Sequence, residues 1–591
     1  MQCIPKFNSA TILSPNLSKH YLFNCYLNIK RVKHLNFSHI FLNFIMLTLS
    51  VVFSIFFLIY HVGCSPRVDP LVDTNVGLIR GLRADDGDYA MFLGIPYAQV
   101  DPENPFGTST PHPRFEETFE AYDESAICPQ YNGSVVGTPD CLHLNVYVPT
   151  TATSTNRLPV MLWIYGGGFQ TGYYRKDFFG PNYLVKHDVI VVTFNYRVGA
   201  YGFMCLDTPK IPGNQGLKDQ YLAMKWVKDN IEAFGGDANK ITVFGQSAGG
   251  HSIDLHLLSP KEKLYNKVMI QSGSSLAATV LYEPDRLVPI KIAEHLGFET
   301  TDMDEAISYL AEIGTNLVVA AAVELDIMFK PCVEKEFDGV EPFLSSSWLN
   351  TGTPKAKNMP ILIGFNEHEL FASHYNKDAE YFKNLDIVSN YLERIFDFDD
   401  EELQEMKDDI SHFYFGDEAL SEDVKWAVMN FDSDFTYIHP EQRTIKKFLD
   451  AGAGNIFYYM FSYVGGMNAL VVEDDDFTGS CCASHADELA YLFNMTHKPY
   501  PTPEDKVIIE RMTTMWTNFA KFGDPTPQTN ELLPVKWEPI TKDAYTYMHI
   551  DADLSLGSRP AHDRMAFWDL YYKLNENKNG CIFNEDLFLE K

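Results

Sequence analysis

The seven residues from Phe244 to Gly250 constrain the fold of this chain more than any other stretch. They read Phe-Gly-Gln-Ser-Ala-Gly-Gly and follow the apolar residues 241–243, so the pattern G-x-S-x-G stands at the end of a predicted strand. This pattern is typical of a strand that turns sharply into a helix and exposes the hydroxyl of Ser247 at a strained corner. Gly245 and Gly249 are required because side chains there would collide with neighbouring elements. The stretch therefore predicts a nucleophilic serine rather than a mere glycine-rich turn.

Apolar strands alternate with helical patterns along the rest of the chain. Residues 159–165 and 189–196 are compact apolar runs, and residues 220–234 have helical spacing. Strands of this kind are typical of a mostly parallel sheet that helices cover on both faces. We therefore predict an α/β fold with a large, mostly parallel central sheet. Mostly helical insertions at 283–359 and 379–443 are expected to cap the active site.

The charge and the spacing of possible metal ligands exclude some classes of partner. The formal net charge is −32 for 591 residues, and a surface so acidic repels the phosphates of nucleic acids. No two cysteines have C-x-x-C spacing, and the histidines are not clustered with them. We therefore predict no nucleic-acid binding, no metal and no cofactor.

Residues 40–60 form an uncharged, mostly apolar stretch that follows a basic cluster at 30–33. The stretch is long enough to span a bilayer as a helix, and the basic flank places the rest of the chain across the membrane. If translation instead starts at Met46, the stretch is short enough for a cleaved signal peptide. Both alternatives predict an extracellular or lumenal protein, either anchored by its N-terminal segment or secreted.

The chain is predicted to divide into four parts, because no internal repeat or low-complexity linker follows residue 66. They are a basic N-terminal segment at 1–39, the hydrophobic anchor or signal segment at 40–60, a catalytic domain at 67–575 and a C-terminal tail at 576–591.

Ten cysteines fit an oxidising compartment. Cys128 and Cys141 lie close in sequence and bracket the turn-rich segment 130–140, so they are the best candidates for a disulfide. The pairing stays open for Cys205, Cys332, Cys481, Cys482 and Cys581. The triplets that begin at Asn132 and Asn494 predict N-glycosylation if the chain is exported.

A nucleophilic serine needs a base and a group that orients the base. On a sheet of this kind the partners follow in the chain order serine, carboxylate, histidine. His485 lies in a loop of small residues that can approach a serine closely, and Glu369 comes shortly after the predicted strand 360–364. Glu367 is the nearest rival of Glu369. We predict that Ser247, Glu369 and His485 are catalytic, the carboxylate holding the imidazole in its productive tautomer.

The oxyanion that forms when a carbonyl is attacked needs preorganised donors. The glycines at 166–168 follow a buried strand and offer backbone N–H groups without obstructing side chains. Ala248, directly after the predicted nucleophile, offers another. The glycine run is therefore interpreted as part of an oxyanion hole rather than as a flexible turn.

Short motifs recur in a fixed order over roughly residues 68–572. They are FLGIPY at 92–97, DCLHLNV at 140–146, YGGGF at 165–169, NYR at 195–197, NQGLKDQ at 214–220, AFGGD at 233–237, GQSAG at 245–249, QSG at 271–273, HADEL at 485–489 and WTNFA at 516–520. In this order and spacing the chain resembles the type-B carboxylesterase and cholinesterase family of α/β-hydrolases. The resemblance implies the α/β-hydrolase fold and the same three catalytic residues. It further implies an oxyanion hole from Gly167, Gly168 and Ala248 and a disulfide between Cys128 and Cys141.

Departures from the family pattern narrow the expected activity. The segment between Cys128 and Cys141 is short and has no tryptophan, whereas cholinesterases place a choline-binding tryptophan on a longer loop there, so choline esters are not expected. Phe298 stands where related chains often have a cysteine, so the family's second disulfide is not expected. Gln246, in place of the commoner glutamate, is similar to insect esterases, including juvenile hormone esterases and antennal odorant-degrading esterases.

The resemblance implies a serine carboxylic ester hydrolase whose partner is a small-molecule ester. Acetate, odorant, xenobiotic and terpenoid methyl esters are the expected classes, while acyl preference, alcohol preference and oligomeric state are left open. The alternative is a non-catalytic, cholinesterase-like cell-adhesion ectodomain, because the same family includes membrane-tethered adhesion proteins. Those proteins typically lack the serine or another of the three catalytic residues, whereas all three are present here.

Overall fold

The computed structural model describes residues 70–345, 352–469, 472–473 and 480–578. The predicted segments at 1–39 and 40–60, and the tail beyond residue 578, lie outside the described residues. Among the helices that are described, none is both long enough and apolar enough to cross a membrane.

A twisted sheet of eleven strands runs through the described part of the chain. The strands are β1 (Leu82–Arg83), β2 (Tyr89–Pro96), β3 (His143–Pro149), β4 (Leu158–Ile164), β5 (Ile190–Phe194), β6 (Gly236–Gln246), β7 (Lys267–Gln271), β8 (Ile361–Asn366), β9 (Ile456–Phe461), β10 (Thr546–Ile550) and β11 (Leu554–Ser558). Their spatial order is β11-β10-β9-β8-β7-β6-β4-β5-β3-β2-β1. Neighbours from β5 to β10 are parallel, whereas β1, β2, β3 and β11 pair antiparallel. The predicted mostly parallel α/β sheet is therefore confirmed.

The parallel strands are buried on both faces, as their unbroken apolar sequences predicted. All residues of β5 and β8 are buried. Trp163 of β4 packs against Phe244 of β6 and against Phe493, with ring centroids 4.7 and 4.8 Å apart. Each aromatic pair adds about 0.5–1.5 kcal/mol to the burial of its rings. Because Phe493 follows the loop of His485 closely, this cluster ties that loop to the strand that carries Ser247.

Helices cover both faces of the sheet, and the predicted insertions contain several of them. The α-helices of the described residues are α1 (Asn182–Val185), α2 (Gly199–Phe203), α3 (Gln215–Asn230), α4 (Ala248–Leu258), α5 (Val288–His295), α6 (Met303–Glu312), α7 (Thr315–Glu324), α8 (Phe371–His374), α9 (Ala379–Lys383), α10 (Ile387–Ile395), α11 (Asp400–Phe415), α12 (Lys425–Ser433), α13 (His439–Asp450), α14 (Pro503–Phe522) and α15 (His562–Leu574). A π-helical turn, Asp434–Ile438, joins α12 to α13 without a break. Helices α5 to α7 and α9 to α12 belong to the two insertions.

Short elements complete the described structure. Small sheets are formed by Leu71–Thr74, Gly77–Arg80 and Phe119–Glu120, by Ala98–Gln99 and Thr110–Pro111, by Gln130–Tyr131 and Val135–Val136, and by Val472–Glu473 and Ser480–Cys481. The 3-10 turns are Ile231–Phe234, Pro354–Ala356, Glu422–Val424, Asp487–Tyr491 and Glu576–Lys578.

Local sequence explains the bounds of the long helix α14. Thr502 caps its first turn by accepting a hydrogen bond from the backbone N–H of Asp505, whose side chain accepts one from the N–H of Thr502 in return. This reciprocal capping satisfies donors that have no partner inside the helix. Gly523 ends the helix in the left-handed conformation at φ 71°, which glycine adopts without a steric cost.

Candidate active site

Ser247 lies at the corner between β6 and α4, where the sequence predicted a sharp turn. Its backbone has φ 56° and ψ −123°, a strained conformation for a residue with a side chain. A methyl group at Gly249 would stand 2.0 Å from the carbonyl oxygen of Ile164, and one at Gly245 would stand 2.7 Å from the same atom. The backbone N–H of Ser247 donates to the carbonyl of Gln271 at 2.9 Å, so the end of β7 anchors the corner.

Glu369 and His485 form a close pair beside this corner. Nδ1 of His485 lies 2.5 Å from Oε2 of Glu369, and the Glu369 side chain is fully buried. The other carboxylate oxygen accepts hydrogen bonds from the hydroxyl of Ser272 at 2.6 Å and from the backbone N–H of Asn366 at 2.7 Å. These donors orient the carboxylate, so that Glu369 rather than its rival Glu367 faces the imidazole.

Hydrogen bonds between two loops bring the histidine to the carboxylate. The backbone N–H of His485 donates to the carbonyl of Glu369 at 2.9 Å. Asn366, at the end of β8, donates through Nδ2 to the carbonyl of Ser484 at 2.6 Å and to Oε2 of Glu488 at 2.7 Å. One buried amide thus connects the strand that leads to Glu369 with the loop that carries His485.

The pKa values of His485 and of two buried carboxyl groups near Glu369 are shifted. Burial alone lowers the pKa of His485, but the charge of Glu369 and the hydrogen bond to it outweigh burial and raise the pKa above its ordinary value. Burial, followed by the charge of Glu369, raises the pKa of Glu488 to about 7 and that of Glu441 well above its ordinary value. Glu488 and Glu441 are therefore driven toward their neutral forms.

Two side chains that the sequence analysis did not place in the site lie against His485. Nε2 of Gln246 lies 3.1 Å from Nε2 of His485. The ring of Tyr437 lies 4.7 Å from the ring of His485. Tyr437 belongs to the helical insertion far along the chain, where no local pattern marked it. Gln246 was noted only as a departure from the family pattern.

The glycine loop packs directly on the corner. A methyl group at Gly166 would stand 2.9 Å from Cβ of Ser247. Gly167 and Gly168 have φ 116° and 62°, and a methyl group at Gly167 would stand 2.2 Å from the carbonyl oxygen of Thr171. In the described residues, the hydrogen bonds outside helices and strands include none donated by the N–H of Gly167, Gly168 or Ala248. Ala248 starts α4, so its N–H has no partner inside the helix either.

A half-buried lysine supports the glycine loop. Nζ of Lys330 donates to the carbonyl of Gly168 at 2.8 Å and lies 5.8 Å from the ring centroid of Phe169. Burial, followed by the charge of Arg394, lowers the pKa of Lys330 to about 8. The sequence analysis did not identify this residue, because its contact spans two distant segments.

Two disulfides brace the surroundings of the site. They join Cys128 to Cys141 and Cys205 to Cys332, the second being a pair that the sequence left open. Cys482 is also disulfide-bonded, whereas the side chains of Cys481 and Cys581 lie outside the described part of the chain. The side-chain oxygen of Gln130, in the loop of the first disulfide, accepts a hydrogen bond from the N–H of Gly172 at 2.7 Å. This loop is thereby attached to the segment that follows the glycine run.

The two glycosylation candidates differ in exposure. Asn132 is exposed on the short hairpin between Cys128 and Cys141. Asn494 is half-buried, and its backbone pairs with Gly180. In the residues that the structure describes, no three His, Cys, Asp or Glu side chains are grouped so that they could hold a metal ion.

Comparison with known proteins gives consistent similarities over almost the whole described chain. The model of the carboxylesterase family matches residues 68–568. Juvenile hormone esterase of Tribolium castaneum is 32% identical over 553 residues, which cover 84% of this chain and 93% of that protein. Bile salt-activated lipase of Homo sapiens is 31% identical over 528 residues, which cover 83% of this chain and 67% of that protein. Among solved structures, a PNB esterase is 25% identical with a TM-score of 0.68 and covers 84% of this chain and 99% of its own. These similarities confirm the family resemblance that the motifs carried.

Proposed function

We propose that this chain, which belongs to the carboxylesterase family and is a carboxylic ester hydrolase, cleaves its substrates through an acyl-enzyme on Ser247. The observation that carries the proposal is the pair of Glu369 and His485, held 2.5 Å apart beside the strained corner of the serine. In this arrangement the carboxylate fixes the proton on Nδ1 of the imidazole, so Nε2 is free of a proton and acts as the base.

The reaction proceeds in two balanced halves. As Oγ of Ser247 bonds to the ester carbon, its proton passes to Nε2 of His485, and the carbonyl oxygen becomes an oxyanion facing the N–H groups of Gly167, Gly168 and Ala248. When this intermediate collapses, the ester C–O bond breaks and the imidazolium gives its proton to the departing alcohol. Water then attacks the acyl carbon while His485 takes its proton. The acid leaves, and the proton returns to Ser247.

The resting position of Gln246 implies one side-chain movement before the first step. Its amide N–H donates to Nε2 of His485, the nitrogen that must accept the serine proton. The Gln246 amide therefore rotates away, or shares this nitrogen with the hydroxyl, when substrate binds. Hydrogen bonds of a free catalytic site often tighten into their productive geometry only in the complex with substrate.

We further propose that an apolar cavity next to Gln170 takes an apolar part of the ester. The cavity has a volume of about 210 Å³ and is bounded by Gln170 and Phe329 on one side. Its apolar wall is formed largely by α7 and the residues after it, including Val319, Ala322, Val323 and Ile327. Acetate, odorant, xenobiotic and terpenoid methyl esters fit such a lining better than charged or strongly polar esters.

The location of the protein is also a proposal. Disulfides form and persist mainly in oxidising compartments, and two of them are present near the site. They support an extracellular or lumenal enzyme, with residues 40–60 acting either as a retained anchor or as a cleaved signal.

The test of the acyl-enzyme uses Ser247→Ala, with Ser252→Ala as its matched control. Ser252 is buried on the same helix, and its hydroxyl donates to the backbone carbonyl of Ala248 rather than to the side chain of Ser247, Glu369 or His485. Wild type and the control should show a burst with an activated aryl ester and one organophosphate label per chain, located at Ser247 by mass spectrometry. Ser247→Ala should show neither. Turnover retained by Ser247→Ala contradicts the proposal.

The same purified protein can be used to distinguish an esterase from an adhesion ectodomain and to determine which class of ester it prefers. A panel of short acetates, long-chain acyl esters and a terpenoid methyl ester, each followed to saturation, gives kcat/KM for every class. We expect apolar esters to be the better substrates. Aggregation of cells that express the protein, together with no hydrolysis of any ester in the panel, would instead favour an adhesion ectodomain.

A further inference from the structure

We infer that Lys330 is a positioning residue for the oxyanion hole, because it holds the peptide between Gly168 and Phe169 and thereby the conformation of the glycine loop. This inference rests on the proposed acyl-enzyme chemistry and adds a residue that acts through the backbone rather than on the ester. Nζ of Lys330 donates to the carbonyl of Gly168 at 2.8 Å, across 162 residues of the chain. The same nitrogen lies 5.8 Å from the ring centroid of Phe169.

The backbone at this peptide is strained. Gly168 and Phe169 both have left-handed conformations, with φ 62° and 66°. A bulky residue such as Phe169 rarely adopts this conformation, and it persists only where the surrounding structure holds it in place. The ring of Phe169 is buried and packs against Phe203 with the ring centroids 4.9 Å apart. This packing holds the side chain, whereas the carbonyl of Gly168 needs a partner of its own.

The carbonyls on either side of this peptide are held by backbone donors. That of Gly167 accepts a hydrogen bond from the N–H of Gln170 at 3.0 Å, and that of Phe169 accepts one from the N–H of Gly199 at 2.8 Å. The carbonyl between them, that of Gly168, depends on a side chain instead. Crowding does not replace that hydrogen bond, because among the described atoms a methyl group at Gly168 would meet only the lysine nitrogen, at 3.7 Å. Without the lysine the peptide is therefore free to rotate and to move the N–H groups of the loop.

The segment that presents the lysine is itself firmly anchored. Residues 329–334, which we call the strap, include Cys332, and its disulfide with Cys205 ties the strap to the residues after α2. The side chain of Asn214 accepts a hydrogen bond from the N–H of Cys332 at 2.9 Å and donates to its carbonyl at 2.8 Å. The amide of Asn214 also donates to the buried carboxylate of Glu334 at 2.7 Å. The lysine therefore starts from a fixed backbone.

The contact between the strap and the glycine loop carries a positive charge. A neutral hydrogen bond, from Nε2 of Gln170 to the carbonyl of Phe329, joins the two segments at a second point. Burial, followed by the charge of Arg394, lowers the pKa of Lys330 to about 8, so at pH 7 the ammonium keeps its proton. A hydrogen bond from a charged donor is stronger than a neutral one. A positive charge next to the proposed oxyanion donors also favours the negative charge that develops on the substrate.

The test compares Lys330→Met with Lys355→Met in the full chain at pH 7, each rate being divided by the number of active sites titrated with an organophosphate. Lys330→Met keeps an apolar stem beside Phe169 and removes the charge and the donor. We expect kcat for a neutral aryl ester to fall about tenfold while KM stays within about twofold. The inhibition constant of a trifluoromethyl ketone, whose adduct with a serine carries an oxyanion, should rise by a similar factor.

Lys355 offers a matched control. Its Nζ also donates to a backbone carbonyl, that of His256 at 2.7 Å, and burial also lowers its pKa to about 8. His256 lies near the C-terminal end of α4, whereas Ser247 precedes the first residue of that helix. Lys355→Met should lower the melting temperature but leave kcat and the inhibition constant within about twofold of wild type.

A conservative variant separates positioning from mere folding. Lys330→Arg keeps a charge and a donor near the carbonyl of Gly168, so its kcat should exceed that of Lys330→Met by about threefold or more. If Lys330→Met does not fold, Lys330→Gln, which also removes the charge, must show the loss of kcat and the parallel rise of the inhibition constant.

The inference is overturned if kcat and the inhibition constant of the neutral Lys330 variant stay within twofold of wild type. It is also overturned if Lys355→Met loses as much kcat, or if Lys330→Arg is no more active than the neutral variant. In each of these cases an inactive Ser247→Ala leaves the acyl-enzyme proposal standing, whereas an active Ser247→Ala removes both.

Discussion

The contact between Gln246 and His485 predicts how a charge at this position changes the pH dependence of the enzyme. The substitution Gln246→Glu places a carboxylate oxygen where the amide nitrogen now lies, 3.1 Å from Nε2 of the imidazole. A negative charge there stabilises the imidazolium and raises the pKa of His485. In the proposed reaction the neutral imidazole is the base, so the acid limb of kcat/KM should move to higher pH.

The magnitude follows from the distance. Two unit charges about 3.1 Å apart attract by about 1.3 kcal/mol even at the dielectric constant of bulk water. One pKa unit corresponds to about 1.4 kcal/mol, so the expected shift is at least about one unit. Gln246 is 3% exposed, and the lower local dielectric increases the attraction. On the acid limb, kcat/KM at a fixed pH should fall about tenfold, while the alkaline plateau stays within a few-fold of wild type.

The assay is hydrolysis of a neutral aryl ester, measured as kcat/KM from pH 5 to pH 9 for wild type, Gln246→Glu and the neutral control Gln246→Met. The control removes the donor at Nε2 without adding a charge, so its acid limb should move by much less than one unit. If the acid limb of Gln246→Glu stays in place or moves to lower pH, the reasoning that a charge at this position raises the pKa of His485 is refuted. A shift of equal size in Gln246→Met would show that charge is not involved.

Two further predictions concern stability. Burial and the charge of Glu369 raise the pKa of Glu488 to about 7 in the folded protein, against 4.5 as its ordinary value. A carboxyl group that holds its proton more tightly when folded contributes a stability that is lost as pH rises from about 4.5 to about 7. The melting temperature of Glu488→Gln should therefore fall less than that of wild type between these two pH values. An equal fall in both proteins would contradict this assignment. Replacing Cys205 and Cys332 by alanine removes a disulfide with a sequence separation of 127, worth about 5 kcal/mol in the loop-entropy model, and chemical denaturation should show a loss of this order.

The sequence could predict the parts of the site that depend on neighbouring residues. The corner at Ser247 requires Gly245 and Gly249, because a Cβ atom at these positions would lie only 2.7 and 2.0 Å from the carbonyl oxygen of Ile164. The strands could also be predicted from neighbouring residues, because a parallel strand buried on both faces is apolar at nearly every position. Patterns of this kind encode the conformation of the chain over a few residues, and motif order then indicated the family.

Contacts between distant segments were decided only by the tertiary structure. Glu367 and Glu369 are two residues apart in one acidic loop, and the donors at Ser272 and Asn366 decide which carboxylate faces His485. The pairing of Cys205 with Cys332 likewise depends on how the first insertion folds back over the sheet.

Tyr437 shows the same limit most clearly, because nothing in the residues around it indicates that its ring lies 4.7 Å from the ring of His485. Its direction follows from ionic contacts that hold both ends of a π-turn, including Asp434 with Arg564 of α15. The sequence by itself determined the corner at Ser247 and the strands, since each is encoded by short-range sterics and burial. The tertiary structure decided which carboxylate, which cysteines and which tyrosine meet, because the order in which the strands lie in the sheet, rather than distance along the chain, brings those side chains together.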